Sequence, residues 1–131
     1  MAITALYAAL LAPLFIALSA RVIGQRRAAR VPIGAGTDDT LLRRMRVHAN
    51  FTEYVPFALI LLALAESLNA NTLVLHAIGA TLVAARHIHA YGVSQPSENF
   101  ALRITGMIGT FGAIGTAAAV CLALSLMKLT A

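Results

Sequence analysis

The chain has few of the charged residues that a soluble globular protein carries on its surface. Only 11% of its 131 residues are charged, whereas a globular chain usually has about 25%. It has no tryptophan and one cysteine, Cys121. A single cysteine excludes an intramolecular disulfide and a cysteine-cluster metal site. Aromatic residues are sparse, at 6%, and are not interleaved with a basic patch, so no nucleic-acid partner is indicated.

Apolar residues are present in excess. They make up 60% of the sequence, and the mean hydropathy is +0.81. The length fits a single domain covering residues 1–131. So many apolar side chains need lipid as well as a protein core to cover them. The composition therefore predicts an integral membrane protein.

The basic residues are unevenly distributed along the chain. The net charge is +5, and seven of the ten lysines and arginines lie in one stretch that joins the first two apolar segments. These seven are Arg21, Arg26, Arg27, Arg30, Arg43, Arg44 and Arg46. Cytoplasmic connections of membrane proteins carry such an excess. We expect this stretch to be cytoplasmic and both termini to be non-cytoplasmic.

Four apolar segments separated by turn signals predict an all-α membrane bundle of four helices. The predicted helices cover about residues 2–22, 40–67, 72–91 and 99–127. Asp38 or Asp39 is expected to cap the second helix, and Ser97 or Asn99 the fourth. The first segment is expected to be a retained helix kinked at Pro13; the alternative is a cleaved signal peptide.

Glycines recur at every third residue of the fourth predicted helix. They are Gly106, Gly109, Gly112 and Gly115. Small residues allow membrane helices to approach closely. We therefore expect this stripe to pack against protein; glycines merely tolerated at a lipid-facing surface are the alternative.

The second predicted helix carries a polar face. Arg46, Asn50, Glu53 and Tyr54 lie at positions i, i+4, i+7 and i+8, which share one face over two turns. Ionisable groups in a membrane helix are costly unless they are paired or solvated, so this face indicates a functional site. A structural ion pair of Glu53 with Arg46 or Arg86 is the alternative.

Arginines outnumber the one acid that we place within the helices, Glu53. Arg21, Arg46, Arg86 and Arg103 are all expected in the cytoplasmic half. Such an excess favours an anionic ligand, whose carboxylates arginine forks can hold. Glutathione combines two carboxylates with an ammonium group, two peptide groups and a thiol, so it fits this set of residues.

Three features resemble the MAPEG family, the membrane-associated proteins in eicosanoid and glutathione metabolism. They are Leu18-Ser19-Ala20-Arg21, the segment from Arg46 to Pro56 with the pattern R-x-x-x-N-x-x-E-Y-x-P, and the pair Arg86 and Arg103. The resemblance covers the whole four-helix layout. It implies a homotrimer with glutathione sites between subunits that open toward the cytoplasm. Departures from the family's pattern fit a bacterial-type or divergent member, which we expect in an inner membrane.

The resemblance further implies roles for individual residues. Those expected to bind glutathione are Arg21, Arg46, Asn50, Glu53, Tyr54, Arg86, His89 and Tyr91. Arg103 resembles the arginine that holds the glutathione sulfur as a thiolate, which a guanidinium group can do by lowering the thiol pKa. His89 and Tyr91 stand where eicosanoid-forming members have a differently spaced tyrosine pair, and Ile104 replaces a serine of prostaglandin E synthases. These departures weaken the case for an eicosanoid reaction.

The implied function is a glutathione S-transferase or peroxidase that acts on lipophilic electrophiles within the membrane. A non-catalytic scaffold with the same fold is one alternative. A small-molecule transporter is a weaker one, because a cation exporter is expected to surround its carboxylate with aromatic residues. A bis-histidine haem site pairing His48 with His76 or His87 also stays open.

Overall fold

The computed structural model describes residues 1–95 and 97–130, and it confirms the predicted bundle of four helices. They are α1 (Ala2–Ala29), α2 (Asp39–Ser67), α3 (Thr72–Ser94) and α4 (Phe100–Leu129). No strand occurs within the described ranges. All four helices are long and apolar enough to cross a membrane. The protein is therefore an all-α membrane protein.

Side-chain caps begin three of the helices. Oδ1 of Asp38 accepts a hydrogen bond from the backbone N–H of Leu41 at 2.8 Å, and Asn71 and Asn99 cap α3 and α4 in the same way. The predicted caps at Asp38 and Asn99 are thus confirmed. The Gln25 side chain donates to Oδ2 of Asp38 at 2.8 Å. This bond, with that from Leu41, lowers the pKa of the Asp38 carboxyl.

The start of α1 is capped from another helix. Glu66, in the last turn of α2, accepts hydrogen bonds from the backbone N–H groups of Ile3 (3.0 Å) and Thr4 (2.9 Å), and from the Thr4 hydroxyl (2.7 Å). Glu53 is therefore not the one acid within the helices, as was expected, because Glu66 also lies in α2, where it satisfies free N–H groups of α1.

α1 is longer than predicted and absorbs part of the arginine-rich stretch. It ends at Ala29, not near residue 22, so Arg26 and Arg27 lie in its last turn. Alanine, arginine and glutamine are good helix formers, which explains the extension. Arg30 ends the helix in the left-handed conformation, with φ 55°. Arg26 and Arg27 are therefore helical, whereas they were expected in the connection between the first two helices.

α3 continues through Gly92 to Ser94, whereas it was expected to end near residue 91. Gly92 is buried, and a Cβ on it would lie 2.7 Å from Cβ of Leu102. The backbone N–H of Asn99 donates to the Gly92 carbonyl at 3.1 Å. Gly92 therefore allows the first turn of α4 to lie directly against the end of α3.

The glycine stripe packs against protein over only part of its length. A Cβ on Gly106 would meet His89 of α3, and one on Gly109 would lie 2.9 Å from Ala85 Cβ. By contrast, nothing lies within 4 Å of such an atom on Gly112 or Gly115. The buried residues of α4 follow helical spacing instead: Gly106, Thr110, Ala113 and Ala117. Glycines at every third residue do not stay on that face, because an α-helix has about 3.6 residues per turn.

Candidate functional site

A cavity of about 450 Å³ lies between α2, α3 and α4. Six of the nine predicted site residues line it: Arg46, Asn50, Glu53, Tyr54, His89 and Arg103. The lining also includes six residues that were not predicted as site residues: Leu42, Arg43, Ala49, Val93, Glu98 and Met107. The structure thus brings together side chains from three helices and from the α3–α4 connection.

The polar face of α2 forms one wall of this cavity. Asn50 and Tyr54 are partly buried, whereas Arg46 and Glu53 are exposed in the single chain. The Tyr54 ring packs edge-on against Phe111 of α4, with centroids 5.4 Å apart. Within the described residues Glu53 forms no ion pair, so neither of the two alternative pairs, with Arg46 or with Arg86, is present. The Glu53 carboxylate is therefore available to a ligand.

Arg86 lies behind the cavity and does not line it. Its side chain is fully buried, and Nη2 donates to Oδ1 of Asn50 at 2.6 Å, while Nη1 donates to Oγ1 of Thr110 at 3.2 Å. The guanidinium carbon lies 5.9 Å from the centre of the Phe51 ring. Since the Asn50 oxygen is occupied by Arg86, the amide N–H₂ is the part of Asn50 left to face a ligand.

Arg103, the predicted catalytic residue, already has an anionic partner. Its Nη1 lies 2.8 Å from Oε1 of Glu98, and Arg43 lies 3.9 Å from the other Glu98 oxygen. Glu98 thus sits between two guanidinium groups at the cavity. Helical spacing could have identified Arg43, which precedes Asn50 by seven residues on the same face. Glu98 precedes α4 in an irregular connection, where no periodicity points to it.

His89 is buried to 3% exposure and carries a ring nitrogen, Nδ1, without a hydrogen-bond partner within the described ranges. It lines the cavity on the α3 side together with Val93. Buried polar atoms are normally satisfied, so an unpartnered one at a cavity wall is a place for a ligand or water to bind.

Arg21 and Tyr91 lie away from this cavity. Nη1 of Arg21 donates to the Ser94 hydroxyl at 2.8 Å in a different cavity between α1, α2 and α3. Tyr91 is 63% exposed and borders a groove beside the α3–α4 connection. The fold therefore separates these two predicted ligand-binding residues from the other six within one chain.

The remaining histidines have partners in the protein. His48 Nε2 lies 3.0 Å from the Ser19 hydroxyl, and His76 Nδ1 lies 3.0 Å from the Tyr7 hydroxyl. Nδ1 of the exposed His87 lies 2.9 Å from the Val83 carbonyl. Within residues 1–95 and 97–130 no cluster of three metal-ligating side chains occurs.

The fold and the site together define a class: a four-helix membrane protein with a basic, carboxylate-containing cavity at one end of its bundle. Comparison with known proteins identifies the family. The MAPEG family model matches residues 4–123, and the chain belongs to this family.

Two curated relatives match over nearly the whole chain. The inner membrane protein YecN of Escherichia coli (strain K12) is 36% identical over 112 residues, which cover 86% of this chain and 84% of the relative. YecN of Escherichia coli O6:H1 matches with the same identity and coverage. The four apolar helices and these relatives support an integral protein of a bacterial inner membrane.

Proposed function

We propose that the cavity binds glutathione and that the protein is a glutathione S-transferase or peroxidase for lipophilic electrophiles. One observation carries the proposal: six residues predicted from the sequence converge on one cavity of about 450 Å³. Membership of the MAPEG family supports it. Ligand cavities of small molecules typically measure about 300–1,000 Å³, so the size is suitable for a tripeptide.

The chemical groups around the cavity match those of glutathione. Arg43 and Arg46 supply guanidinium forks for its carboxylates. Glu53 supplies a carboxylate for its ammonium group, and the Asn50 amide, oriented by Arg86, supplies donors for a peptide carbonyl. Nδ1 of His89 adds a polar atom that has no partner in the described protein. These groups would bind and orient the tripeptide.

Arg103 is the residue that would act on the sulfur. Its guanidinium group favours the thiolate over the thiol, which raises the fraction of nucleophile at neutral pH. In a transferase reaction the thiolate sulfur forms a bond to an electrophilic carbon, and the leaving group departs with the electron pair of the broken bond. In a peroxidase reaction two glutathione molecules supply two electrons and two protons. The O–O bond of a hydroperoxide breaks to give an alcohol and water, and the two sulfurs end joined as a disulfide.

Exposure of polar groups in the middle of α2 supports a homotrimer with the site at the subunit interface. Arg46 and Glu53 are exposed in the single chain. A charged side chain within a membrane is costly unless protein or water covers it. A neighbouring subunit would cover this face and complete the wall of the cavity. Arg21 and Tyr91, which lie away from the cavity within one chain, could contribute only from such a neighbour.

The ion pair between Arg103 and Glu98 favours the second candidate, a non-catalytic scaffold. With Nη1 2.8 Å from a carboxylate oxygen, Arg103 has a resident anion in place of a thiolate. The two candidates differ in whether a bound thiol becomes ionised. They are therefore separated by kinetics and not by binding alone.

The test compares two variants in purified, detergent-solubilised protein. We expect Arg103→Ala to lower the rate of conjugation to a model electrophile with a small loss of glutathione affinity, because thiolate charge forms at the sulfur. We expect Glu53→Ala to lower affinity, because the ammonium group is charged throughout. A parent protein that binds glutathione without conjugating or reducing any electrophile would favour the scaffold. A parent that does not bind glutathione would overturn the proposal.

A further inference from the structure

A second cavity of about 450 Å³ lies where the C-terminal third of α1, the first turns of α2 and the end of α3 meet. Three of its lining residues are arginines, Arg21, Arg43 and Arg44, and one is a carboxylate, Asp39. Thr40, Ser94 and Gln95 add uncharged polar groups, and Val47 is a buried apolar neighbour. Within one chain, the cavity proposed for glutathione is lined by none of Arg21, Arg44 and Asp39.

The arginines of this cavity donate mainly to neutral acceptors. Nη1 of Arg21 donates to the Ser94 hydroxyl at 2.8 Å, and Nη1 of Arg44 donates to the Arg21 carbonyl at 3.0 Å. Neither forms an ion pair within the described residues. Arg43 reaches the Val93 carbonyl at 3.5 Å and Glu98 only at 3.9 Å. Most guanidinium donors of this cavity are thus left for an anion.

The shape and position of the cavity favour a phosphate group. A guanidinium fork matches two phosphate oxygens. The cavity also borders the first turn of α2, with Asp39 and Thr40, which is the positive end of a helix. The cavity lies beside the first turns of α2 and the end of α3, and basic pockets between membrane helices are typical sites for anionic lipids.

We propose that this cavity binds the phosphodiester headgroup of an anionic membrane lipid. The same phosphate chemistry could come from a free phosphate in the cytoplasm. The lipid differs in that it is present throughout the bilayer next to the cavity and carries acyl chains that would lie along the apolar helix surfaces.

The experiment measures lipid retention by native mass spectrometry after the protein is equilibrated with equal amounts of phosphatidylglycerol and phosphatidylcholine. The test variant is Arg21→Gln/Arg44→Gln. The matched control is Arg27→Gln/Arg30→Gln, which removes the same charge from two exposed residues outside the cavity. We expect the parent and the control to retain phosphatidylglycerol preferentially. We expect the fold-loss of phosphatidylglycerol retention to be about ten times larger in the cavity variant than in the control. This difference corresponds to one charge-assisted hydrogen bond.

Two results would overturn the proposal. Equal losses in the two variants would show a general attraction of charge to anionic lipid, and undiminished retention by the cavity variant would show that the cavity holds no lipid. If the double variant does not fold, Asp39→Asn supplies the opposite change, because it removes the carboxylate from the lining. Retention of phosphatidylglycerol should then rise severalfold, and unchanged retention would contradict the proposal.

A competition measurement distinguishes the two sources of phosphate. Inorganic phosphate and a short-chain phosphatidylglycerol are added separately to the parent protein that holds phosphatidylglycerol. We expect only the lipid to displace the bound lipid at micromolar concentration. Displacement by inorganic phosphate at the same concentration would show that the cavity binds free phosphate and would overturn the lipid assignment.

Discussion

Replacing Gly106 with alanine should push α3 and α4 apart at the candidate site. The added Cβ would lie 2.5 Å from Cβ, 2.6 Å from N and 2.7 Å from Cα of His89. Carbon atoms in contact are normally about 3.5–4.0 Å apart, so the helices must separate locally by about 1 Å. Two of the three atoms belong to the α3 backbone, which cannot rotate away.

Gly112→Ala is the matched control, because a Cβ at that position meets nothing within 4 Å. Both variants gain the same helix propensity, about 1 kcal/mol over glycine. The gain cancels in the comparison, and the difference that remains is the cost of overpacking, about 1–3 kcal/mol. Gly106→Ala should therefore be less stable than Gly112→Ala by that amount.

The assay is unfolding of both variants in one detergent, followed by the loss of helical circular dichroism. Glutathione titration supplies a second readout, since His89 lines the cavity and should move with the α3 backbone in Gly106→Ala. Equal stability of the two variants would refute the reasoning about close helix packing. Glutathione affinity that is unchanged in a destabilised Gly106→Ala would show that His89 does not contact the ligand.

Two further predictions concern carboxylates. Glu98→Gln should tighten the binding of glutathione up to about fivefold, because it frees Arg43, a proposed carboxylate-binding residue, of a partly exposed ion pair worth about 0–1 kcal/mol; calorimetric titration checks this, and weaker binding would contradict it. Asp38→Asn keeps a good cap but removes the charge. Because the folded-state pKa of Asp38 is lowered, its charge stabilises the fold above the unfolded pKa of about 3.9, and this contribution is lost as pH falls through the folded value. The variant should therefore have a lower Tm than the parent at pH 7 and the same Tm in acid, which thermal unfolding over pH would measure; a Tm difference that is constant with pH would contradict it.

The sequence predicted the fold well because lipid imposes length and hydropathy on every helix. The apolar runs located four helices, and Asp38 and Asn99 marked two of their starts. The ends of α1 and α3 were predicted too early for a physical reason. Arginine and glutamine favour helix beyond the apolar run, and Gly92, although glycine is a poor helix former, lies within α3, where it allows close packing against Leu102.

The site was predicted where helical periodicity applies and missed where it does not. The face of α2 placed Arg46, Asn50 and Glu53 together because i, i+4 and i+7 share a side of a helix. Which side of α3 meets α4 depends on packing, so Arg86 behind Asn50 could not be distinguished from a residue in the cavity. Glu98 belongs to an irregular connection, and only the folded chain shows it beside Arg103.

The most direct test of the central claim is the ultraviolet absorbance of the glutathione thiolate, measured over pH with the parent protein and with Arg103→Ala. If the cavity binds glutathione and Arg103 acts on its sulfur, the parent should show the thiolate band below the pH at which free glutathione ionises. In Arg103→Ala the pH at which half of the bound thiol is ionised should return toward the pKa of a free thiol, about 8.5. A parent whose bound thiol ionises at the same pH as free glutathione would contradict the claim.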